Sequence, residues 1–232
     1  NELKCDVIGL PGGGLDTDIF YPKKEFHKRS IDIGYRAYDE PLYFGHQERF
    51  QLMKKSKEII SKTNLKHDLS MKESDRFVNE NWSSFINECK SFIGTNTGYD
   101  YFELTDEIRN KVNIYLTSFK ELNFQQLYDK GYKKFFINRK KTNSMRLISG
   151  RNIEVAGCKT LQFLVDGDYG NYFIPDVHYI KINKDYSNLE ECFEKLSDQS
   201  FCEKIINNSY DTVTQNLKFS DHLEKLYNFI NK

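Results

Sequence analysis

Short apolar strands alternate with helical segments along most of this chain, and this alternation limits the possible folds more than any other feature. Five segments have the pattern of strands, at residues 30–35, 67–70, 91–93, 160–165 and 178–182. Strands that alternate with helices form units in which the strands run parallel. The sequence therefore predicts an α/β protein of the Rossmann-like kind, with a mostly parallel sheet and helices on both faces.

The remaining segments suggest a linker, one domain and an insertion. Residues 1–22 contain three consecutive glycines and end at Pro22, and we predict an interdomain linker there, followed by a domain at 23–232. Residues 100–140 are rich in charge and aromatic side chains and are predicted to be a helical insertion. The chain starts with Asn1 rather than Met, so we expect a fragment of a longer protein. Other helices are predicted at 46–63, at 79–88, from Gly150, and from Asn188 to the end with breaks near Ser197 and Lys218.

Charge and cysteine content exclude several classes of function. Lys plus Arg and Asp plus Glu both number 34, and this balance argues against a nucleic-acid footprint, which needs a basic excess. The five cysteines are odd in number and form no C-x-x-C pair, so we predict neither a disulfide framework nor a zinc site. No apolar run reaches membrane-spanning length. We expect a cytoplasmic protein, with peripheral contact to the membrane left open.

Polar and charged residues follow the predicted strands at the edge where such sheets bind ligands. Ligands settle beyond the carboxyl ends of parallel strands. Arg36 follows the first strand, and Thr95 and Asn96 lie in a glycine-bounded turn after the third. We expect a binding site formed by these residues together with the segments 149–154 and 166–169.

Arg36 has two interpretations. A guanidinium at the carboxyl end of a strand can bind two diphosphate oxygens and neutralise a leaving group. It can equally form a surface ion pair with Asp39 or Glu40, which follow within four residues. The charge pattern alone does not separate the two.

The residues around the predicted helix start at Gly150 carry the most chemical information. The first-turn amides of a helix are free to bind an anion, and Ser149 precedes that turn. Glu154 lies one turn into the helix and can accept hydrogen bonds from two neighbouring hydroxyls, as ribose presents them. Arg146 and Arg151 bring positive charge to the same place. The alternative is a helix capped by Ser149, with Glu154 stabilised by the helix dipole.

Two further motifs give weaker signals. The glycines at 12–14 lack the Gly-Lys-Ser/Thr ending of a P-loop and do not match G-x-G-x-x-G, so we predict a flexible connection rather than a phosphate loop. The run Asp166-Gly167-Asp168 has the form of a metal-binding D-x-D element, but it also suits a plain turn after a strand, which we favour. The histidines form no i, i+4 pair and have no cysteine nearby. We predict no metal site.

Four segments occur in the order found in group 1 glycosyltransferases with the GT-B fold. Residues 151–160 resemble the R-x-x-E-a-x-a-x-G/C-x element, in which a helix leads into a strand. Residues 15–22 are similar to the segment that leads into the second domain of these enzymes, and residues 30–36 to the first strand of that domain. Residues 176–189 are similar to a later stretch. The likeness spans roughly residues 9–232 and points to the branch related to spore-maturation proteins.

The resemblance implies the donor-binding half of a two-domain hexosyltransferase of polysaccharide biosynthesis. Such a domain binds a nucleoside diphosphate sugar in the cleft that faces the first domain. By position, Glu154 corresponds to the ribose-binding glutamate, and Arg36 would meet the diphosphate. GT-B enzymes usually work without a bound metal, so we expect no cofactor besides the nucleotide-sugar donor. The remaining donor-binding residues are expected to be Thr95, Asn96, Ser149, Gly150, Arg151 and Asn152.

The sequence departs from the family pattern at one position. The family often has a second glutamate eight positions before the ribose-binding one, and here that residue is Arg146. We expect Arg146 to act with Arg36 as a catalytic residue that neutralises the diphosphate. The acceptor, a glycan or a lipid-linked molecule, would be bound by an N-terminal domain that this sequence does not include.

Two other hypotheses stay open. The first is a non-catalytic module of the same fold that binds a nucleotide or a partner protein. The second is an unrelated doubly wound protein of the flavodoxin or response-regulator type, which is less favoured because Arg36 occupies the place where a receiver needs acidic residues.

Overall fold

The computed structural model describes residues 6–101, 105–119, 121–139 and 146–231, without the side chains of Phe124, Tyr132 and Lys133. Asn1, Cys5 and the parts of the predicted insertion at 102–104, 120 and 140 lie outside the described residues.

Five parallel strands form the sheet, and all five were predicted. Their order across the sheet is β2-β1-β3-β4-β5, and every neighbouring pair is parallel. Because β1 has β2 on one side and β3 on the other, the chain reverses its direction of winding between β1 and β3. The strands are β1 (Ile31–Arg36), β2 (His67–Ser70), β3 (Cys89–Gly94), β4 (Leu161–Val165) and β5 (Ile180–Ile182).

Eight α-helices connect or follow these strands in the described part of the chain. The structure confirms the helix predicted at 79–88, shortens the one predicted at 46–63, and places helix ends at the predicted breaks near Ser197 and Lys218. The helices are α1 (Glu48–Ile60), α2 (Asn79–Glu88), α3 (Glu107–Ser118), α4 (Phe124–Phe135), α5 (Gly150–Gly157), α6 (Leu189–Glu194), α7 (Gln199–Asn216) and α8 (Phe219–Ile230).

The main core lies between the sheet and helices on its two faces. Helix α1 packs against α6, and α5 packs against α7 and is joined to α2 by a side-chain hydrogen bond. Right-handed crossovers place these two groups on opposite faces, because the direction of winding reverses after β2. The strand residues Ile33, Phe163 and Ile180 have no exposed surface. This is the predicted fold class.

The predicted insertion contains two helices with a small core of its own. Helices α3 and α4 pack on each other and on a short 3-10 turn at Leu42–Phe44 that the sequence analysis did not predict. Val112 and Phe136 are buried in this second core, which also includes Leu42. The insertion therefore lies beside the carboxyl end of β1, next to the edge where ligands bind.

The glycines at 12–14 allow the backbone to approach two helices closely. A Cβ at Gly13 would lie 2.9 Å from the Cα of Gly150, and one at Gly14 would lie 2.8 Å from the ring of Phe219. The Leu15 N–H donates to the carbonyl of Leu217 at 2.6 Å. Residues 13–15 are thus packed on α5 and α8, whereas the sequence predicted a flexible connection here.

Candidate functional site

Two adjoining cavities, of about 190 and 460 Å³, lie at the point where the sheet reverses its winding. Both have Tyr38 and Arg151 in their walls, so we describe them together as the switch-point cleft. The carboxyl ends of β1 and β3 form its floor, as expected for ligand sites in open α/β sheets. The smaller cavity is lined by residues that include Tyr35, Arg49, Gly94, Thr95, Thr97, Ser149 and Asn152, and the larger by residues that include Phe20, Arg36, Phe77, Trp82 and Glu154.

Two arginines face this cleft without a carboxylate partner. The Arg49 guanidinium donates to the Thr97 hydroxyl at 3.3 Å and lies 4.8 Å from the centre of the Tyr38 ring. Arg151 lies 5.6 Å from the centre of the Trp82 ring. Within the described residues neither guanidinium forms an ion pair. Glu154 is the carboxylate that shares the cleft with Arg151, so these two guanidinium groups leave the cleft with an excess of positive charge.

Burial of Arg151 has an energetic consequence. Removal of the guanidinium from water lowers the pKa of Arg151, and the positive charge of Arg49 lowers it further, while Tyr35 and Glu154 act in the opposite direction. A lowered pKa means that the folded protein disfavours the charged form. A bound anion would relieve this cost, because it adds negative charge to that of Glu154.

Sequence analysis missed Arg49. The residue lies in the first turn of α1, the helix that follows β1. In a doubly wound sheet the first turn of such a helix lies at the carboxyl edge of the strands, where ligands bind. The predicted helix at 46–63, combined with this rule, would have identified Arg49 as a candidate.

The N-terminus of α5 has a complete side-chain cap. The Ser149 hydroxyl accepts from the Asn152 N–H at 3.2 Å, and Asn152 Oδ1 accepts from the Ser149 N–H at 3.0 Å. Asn152 Nδ2 also donates to Gln162 at 3.3 Å. The backbone N–H groups of Gly150 and Arg151 keep no protein acceptor in the described part of the chain. Of the predicted anion-binding turn, these two amides are still available.

Glu154 is half-buried and is held by a single side-chain hydrogen bond. Its Oε2 accepts from Trp82 Nε1 at 2.7 Å. Burial raises the pKa of Glu154, while the Trp82 bond and the charge of Arg151 act in the opposite direction. One turn earlier, Gly150 has no side chain that could cover the carboxylate; a Cβ there would lie 4.0 Å from Glu154 Oε1. Glu154 can therefore accept further hydrogen bonds from hydroxyls in the cleft.

Arg36 lies in the cleft wall but is bound to protein groups. Its Nε donates to the Asp75 carbonyl at 3.0 Å, and its Nη2 pairs with Asp68 Oδ2 at 2.8 Å. The guanidinium lies 4.3 Å from the centre of the Phe85 ring and 5.1 Å from that of Phe77. Arg36 therefore forms an ion pair with Asp68 on the neighbouring strand, and the surface pair with Asp39 or Glu40 considered from sequence is not the one observed.

Arg146 forms ion pairs with two carboxylates. It binds Glu48 at 2.9 and 3.2 Å and Asp100 Oδ1 at 2.8 and 3.2 Å, and only 7% of its side chain is exposed. It also donates to Asn96 Oδ1 at 3.3 Å, and Asn96 in turn donates to the Asp168 carbonyl at 3.3 Å. This network ties α1 to the loop after β3. Of the two predicted residues in that loop, Thr95 lines the cleft, and Asn96 supports the loop.

The Asp-Gly-Asp run after β4 is irregular, and the predicted turn begins only at its last residue. Asp168 Oδ1 accepts from the Gly170 N–H at 2.8 Å, which forms a side-chain turn over residues 168–170. Across the described ranges, no group of three or more His, Cys, Asp or Glu side chains is placed to hold a metal ion.

The fold is similar to two solved structures. It matches the C-terminal domain of the glycosyl transferase group 1 family protein LpcC from Francisella tularensis with a TM-score of 0.47 and 11% identity, over 89% of this chain and 100% of that chain. It matches TarM with a TM-score of 0.51 and 12% identity, over 92% of this chain but only 37% of TarM. These identities show the fold alone. The likeness to TarM agrees with the predicted Rossmann-like α/β fold class.

No protein-family model and no curated protein matches the sequence. None of the helices within the described residues is both long and apolar enough to cross a membrane.

Proposed function

We propose that the switch-point cleft binds a nucleoside diphosphate sugar and that this domain is the donor-binding part of a glycosyltransferase. The observation that carries the proposal is the pair Arg49 and Arg151, two cations that line one cleft and form no salt bridge within the described residues. A diphosphate supplies the negative charge that this arrangement lacks. The glycosyltransferase-like fold is consistent with such a ligand.

The other groups of the cleft suggest how the donor would lie. The free N–H groups of Gly150 and Arg151 are suited to a phosphate oxygen. Glu154, at the start of the next turn of α5, is suited to accept from the ribose hydroxyls, and Trp82 fixes the orientation of its carboxylate. We therefore place the diphosphate against Arg49 and Arg151 and the ribose against Glu154.

The chemistry then depends on the leaving group. When the sugar leaves, negative charge increases on the nucleoside diphosphate, and fixed cations beside it stabilise that charge in the transition state. Arg49 and Arg151 would supply this stabilisation without a metal ion. The geometry favours a supporting role for Arg36 and Arg146, because their donors already bind Asp68 and Asp75, and Glu48 and Asp100.

A thermal-shift screen with UDP, GDP, ADP and CDP, and with their sugars, tests the proposal. A ligand that binds only the folded state stabilises it by about 2.7 kcal/mol at a hundredfold excess over its Kd. We expect a shift for one base that is equal with magnesium and with EDTA and is lost in Arg49→Ala and Arg151→Ala. No shift with any nucleotide, or a shift that both variants retain, would contradict the proposed site.

A second candidate is a module of this fold that binds a nucleotide without transferring a sugar. It is favoured by Arg146, which stands where related enzymes have a carboxylate and is itself neutralised by Glu48 and Asp100. Donor binding without release of the sugar, in a protein that includes the acceptor-binding part, would select this candidate.

A further inference from the structure

The N-terminus of α1 is closed by a carboxylate from the loop before it. Glu40 Oε1 accepts from the Arg49 N–H at 2.6 Å, and Oε2 accepts from the Phe50 N–H at 3.4 Å. The residue at the N-cap position, Gln47, makes no capping bond with its own side chain. Glu40 has no exposed surface, although a buried carboxylate is costly in free energy. Such a residue calls for a specific role.

This cap changes how the cleft can hold an anion. The helix after the first strand of a doubly wound sheet often offers its first-turn amides to a phosphate. Here two of those amides are already taken by Glu40. The contribution of α1 to the cleft is therefore a side chain, the Arg49 guanidinium, rather than its backbone.

Glu40 binds the backbone of the same residue whose side chain enters the cleft. The hydrogen bond at the Arg49 N–H fixes the first turn of α1, and with it the Cα from which the guanidinium extends. Among the described residues the guanidinium has one weak hydrogen bond of its own, to Thr97 at 3.3 Å, and a contact with the Tyr38 ring. Its placement thus depends on the backbone beneath it.

We propose that Glu40 is a positioning residue, which fixes the first turn of α1 so that the Arg49 guanidinium points into the switch-point cleft. The inference rests on the proposed function for the identity of the ligand. It does not depend on that function for the contact between Glu40 and Arg49.

Comparison of Glu40→Gln with Glu40→Ala isolates this role. Both variants lack the negative charge, but only glutamine keeps an acceptor for the Arg49 N–H. The probe is inorganic pyrophosphate, and its binding is followed by the fluorescence of Trp82, the single tryptophan of the chain, which lies beside Arg151. Both substitutions are also made in the Arg49→Ala background, which completes a double-mutant cycle.

We expect Glu40→Ala to bind pyrophosphate about fivefold more weakly than Glu40→Gln, the size of a typical lost helix cap. In the Arg49→Ala background the two should bind equally, because the side chain that Glu40 positions is gone. Equal binding in the presence of Arg49, or the same loss in both backgrounds, would overturn the proposal. If Glu40→Ala does not fold, Glu40→Asp is compared with the wild type in both backgrounds, because both keep the carboxylate but that of Asp is one methylene shorter and is withdrawn from the Arg49 N–H.

A ligand-free measurement separates this proposal from the proposed function. The Arg49 Nε–H signal in a ¹H–¹⁵N spectrum is assigned by its loss in Arg49→Ala. We expect the signal to move between Glu40→Gln and Glu40→Ala, even if the wild type binds no pyrophosphate and the anion site is wrong. An unchanged signal would refute the role of Glu40 whether or not pyrophosphate binds.

Discussion

Trp82 Nε1 donates a 2.7 Å hydrogen bond to Glu154 Oε2, and this contact joins α2 to α5 in the wider half of the switch-point cleft. The indole also lies beside the Arg151 guanidinium. Trp82 therefore contacts both Glu154 and Arg151, the two residues that we propose bind the ribose and the diphosphate of the donor.

Trp82→Phe tests the importance of that contact. Phenylalanine keeps an aromatic ring but cannot donate to Glu154, whose carboxylate loses its fixed orientation. A hydrogen bond to a charged group contributes about 1.5–3 kcal/mol, so we expect donor affinity to fall roughly tenfold or more. Calorimetric titration measures the change. The neighbouring Phe85→Leu, which leaves the Trp82 bond in place, serves as the control, and an unchanged affinity in Trp82→Phe would show that the bond does not orient Glu154 for the ligand.

The four arginines should separate into two classes. We expect Arg49→Ala and Arg151→Ala to weaken donor binding about tenfold or more with little loss of stability, because neither has an ion pair to lose. Arg146→Ala removes the cation that lies between two carboxylates, and we expect a loss of about 3–5 kcal/mol in the free energy of unfolding. Arg36→Ala should also act mainly on stability. Urea unfolding and calorimetry of all four variants would check this, and a binding defect confined to Arg36 and Arg146 would restore the sequence-based assignment.

Stability should depend on pH through Glu40. Burial raises the pKa of Glu40 from 4.5 to about 7. Between these values the folded state holds a proton that the unfolded state has lost. The contribution of this proton to the free energy of unfolding is therefore complete below pH 4.5, declines as pH rises, and is gone above about 7. The decline amounts to roughly 3 kcal/mol. The charged or titratable groups that face Glu40 are Arg49, His46, Tyr35 and Tyr186.

His46 requires a difference measurement. Its Nδ1 lies 3.7 Å from Glu40 Oε1. Burial lowers the pKa of His46, so the contribution of His46 to the free energy of unfolding is lost as pH falls, opposite in sign to that of Glu40. The wild type is therefore compared with Glu40→Gln at each pH, with the exposed Glu121→Gln as control. We expect the advantage of the wild type over Glu40→Gln to shrink from pH 5 to pH 8. A constant or growing advantage would contradict the raised pKa.

Gly13→Ala should destabilise the protein. Its Cβ would lie 2.9 Å from the Cα of Gly150, a backbone atom with little freedom to move. Overpacking of this kind costs about 1–3 kcal/mol. Gly9→Ala is the matched control, since a Cβ there has no atom within 4 Å. Equal stability of the two variants would mean that residues 12–14 form the flexible connection predicted from sequence.

The sheet was predictable because buried parallel strands leave a clear record in sequence. The segment 160–165 is a short, mostly apolar run, and the segment 30–35 alternates polar and apolar residues; each corresponds to a strand of the sheet. The helix at 79–88 has the predicted bounds for a similar reason, since its apolar residues recur at helical spacing. Local pattern was sufficient in these cases because the apolar residues that pack in the core are close together in the sequence.

The pairing of charges was not predictable. Arg36 pairs with Asp68, which is distant in sequence and lies on the neighbouring strand, and Arg146 pairs with Glu48 from α1. Such partners depend on which elements become neighbours in space, and a single sequence does not state this. The same reason explains why Glu40 was considered only as a partner of Arg36. Arg49 differs, because its place in the first turn of the helix after β1 could have been recognised from the sequence.

Calorimetric titration of the wild type and of Arg49→Ala/Arg151→Ala with UDP-, GDP-, ADP- and CDP-sugars, in the presence of EDTA, tests the central claim most directly. We predict that one nucleotide class binds the wild type without metal and that the double variant, still folded, loses that binding by a hundredfold or more, as expected for two charge-assisted contacts of about 1.4 kcal/mol or more each. Full binding by the folded double variant, or no binding of any nucleotide sugar by the wild type, would contradict the claim that this cleft is a donor site.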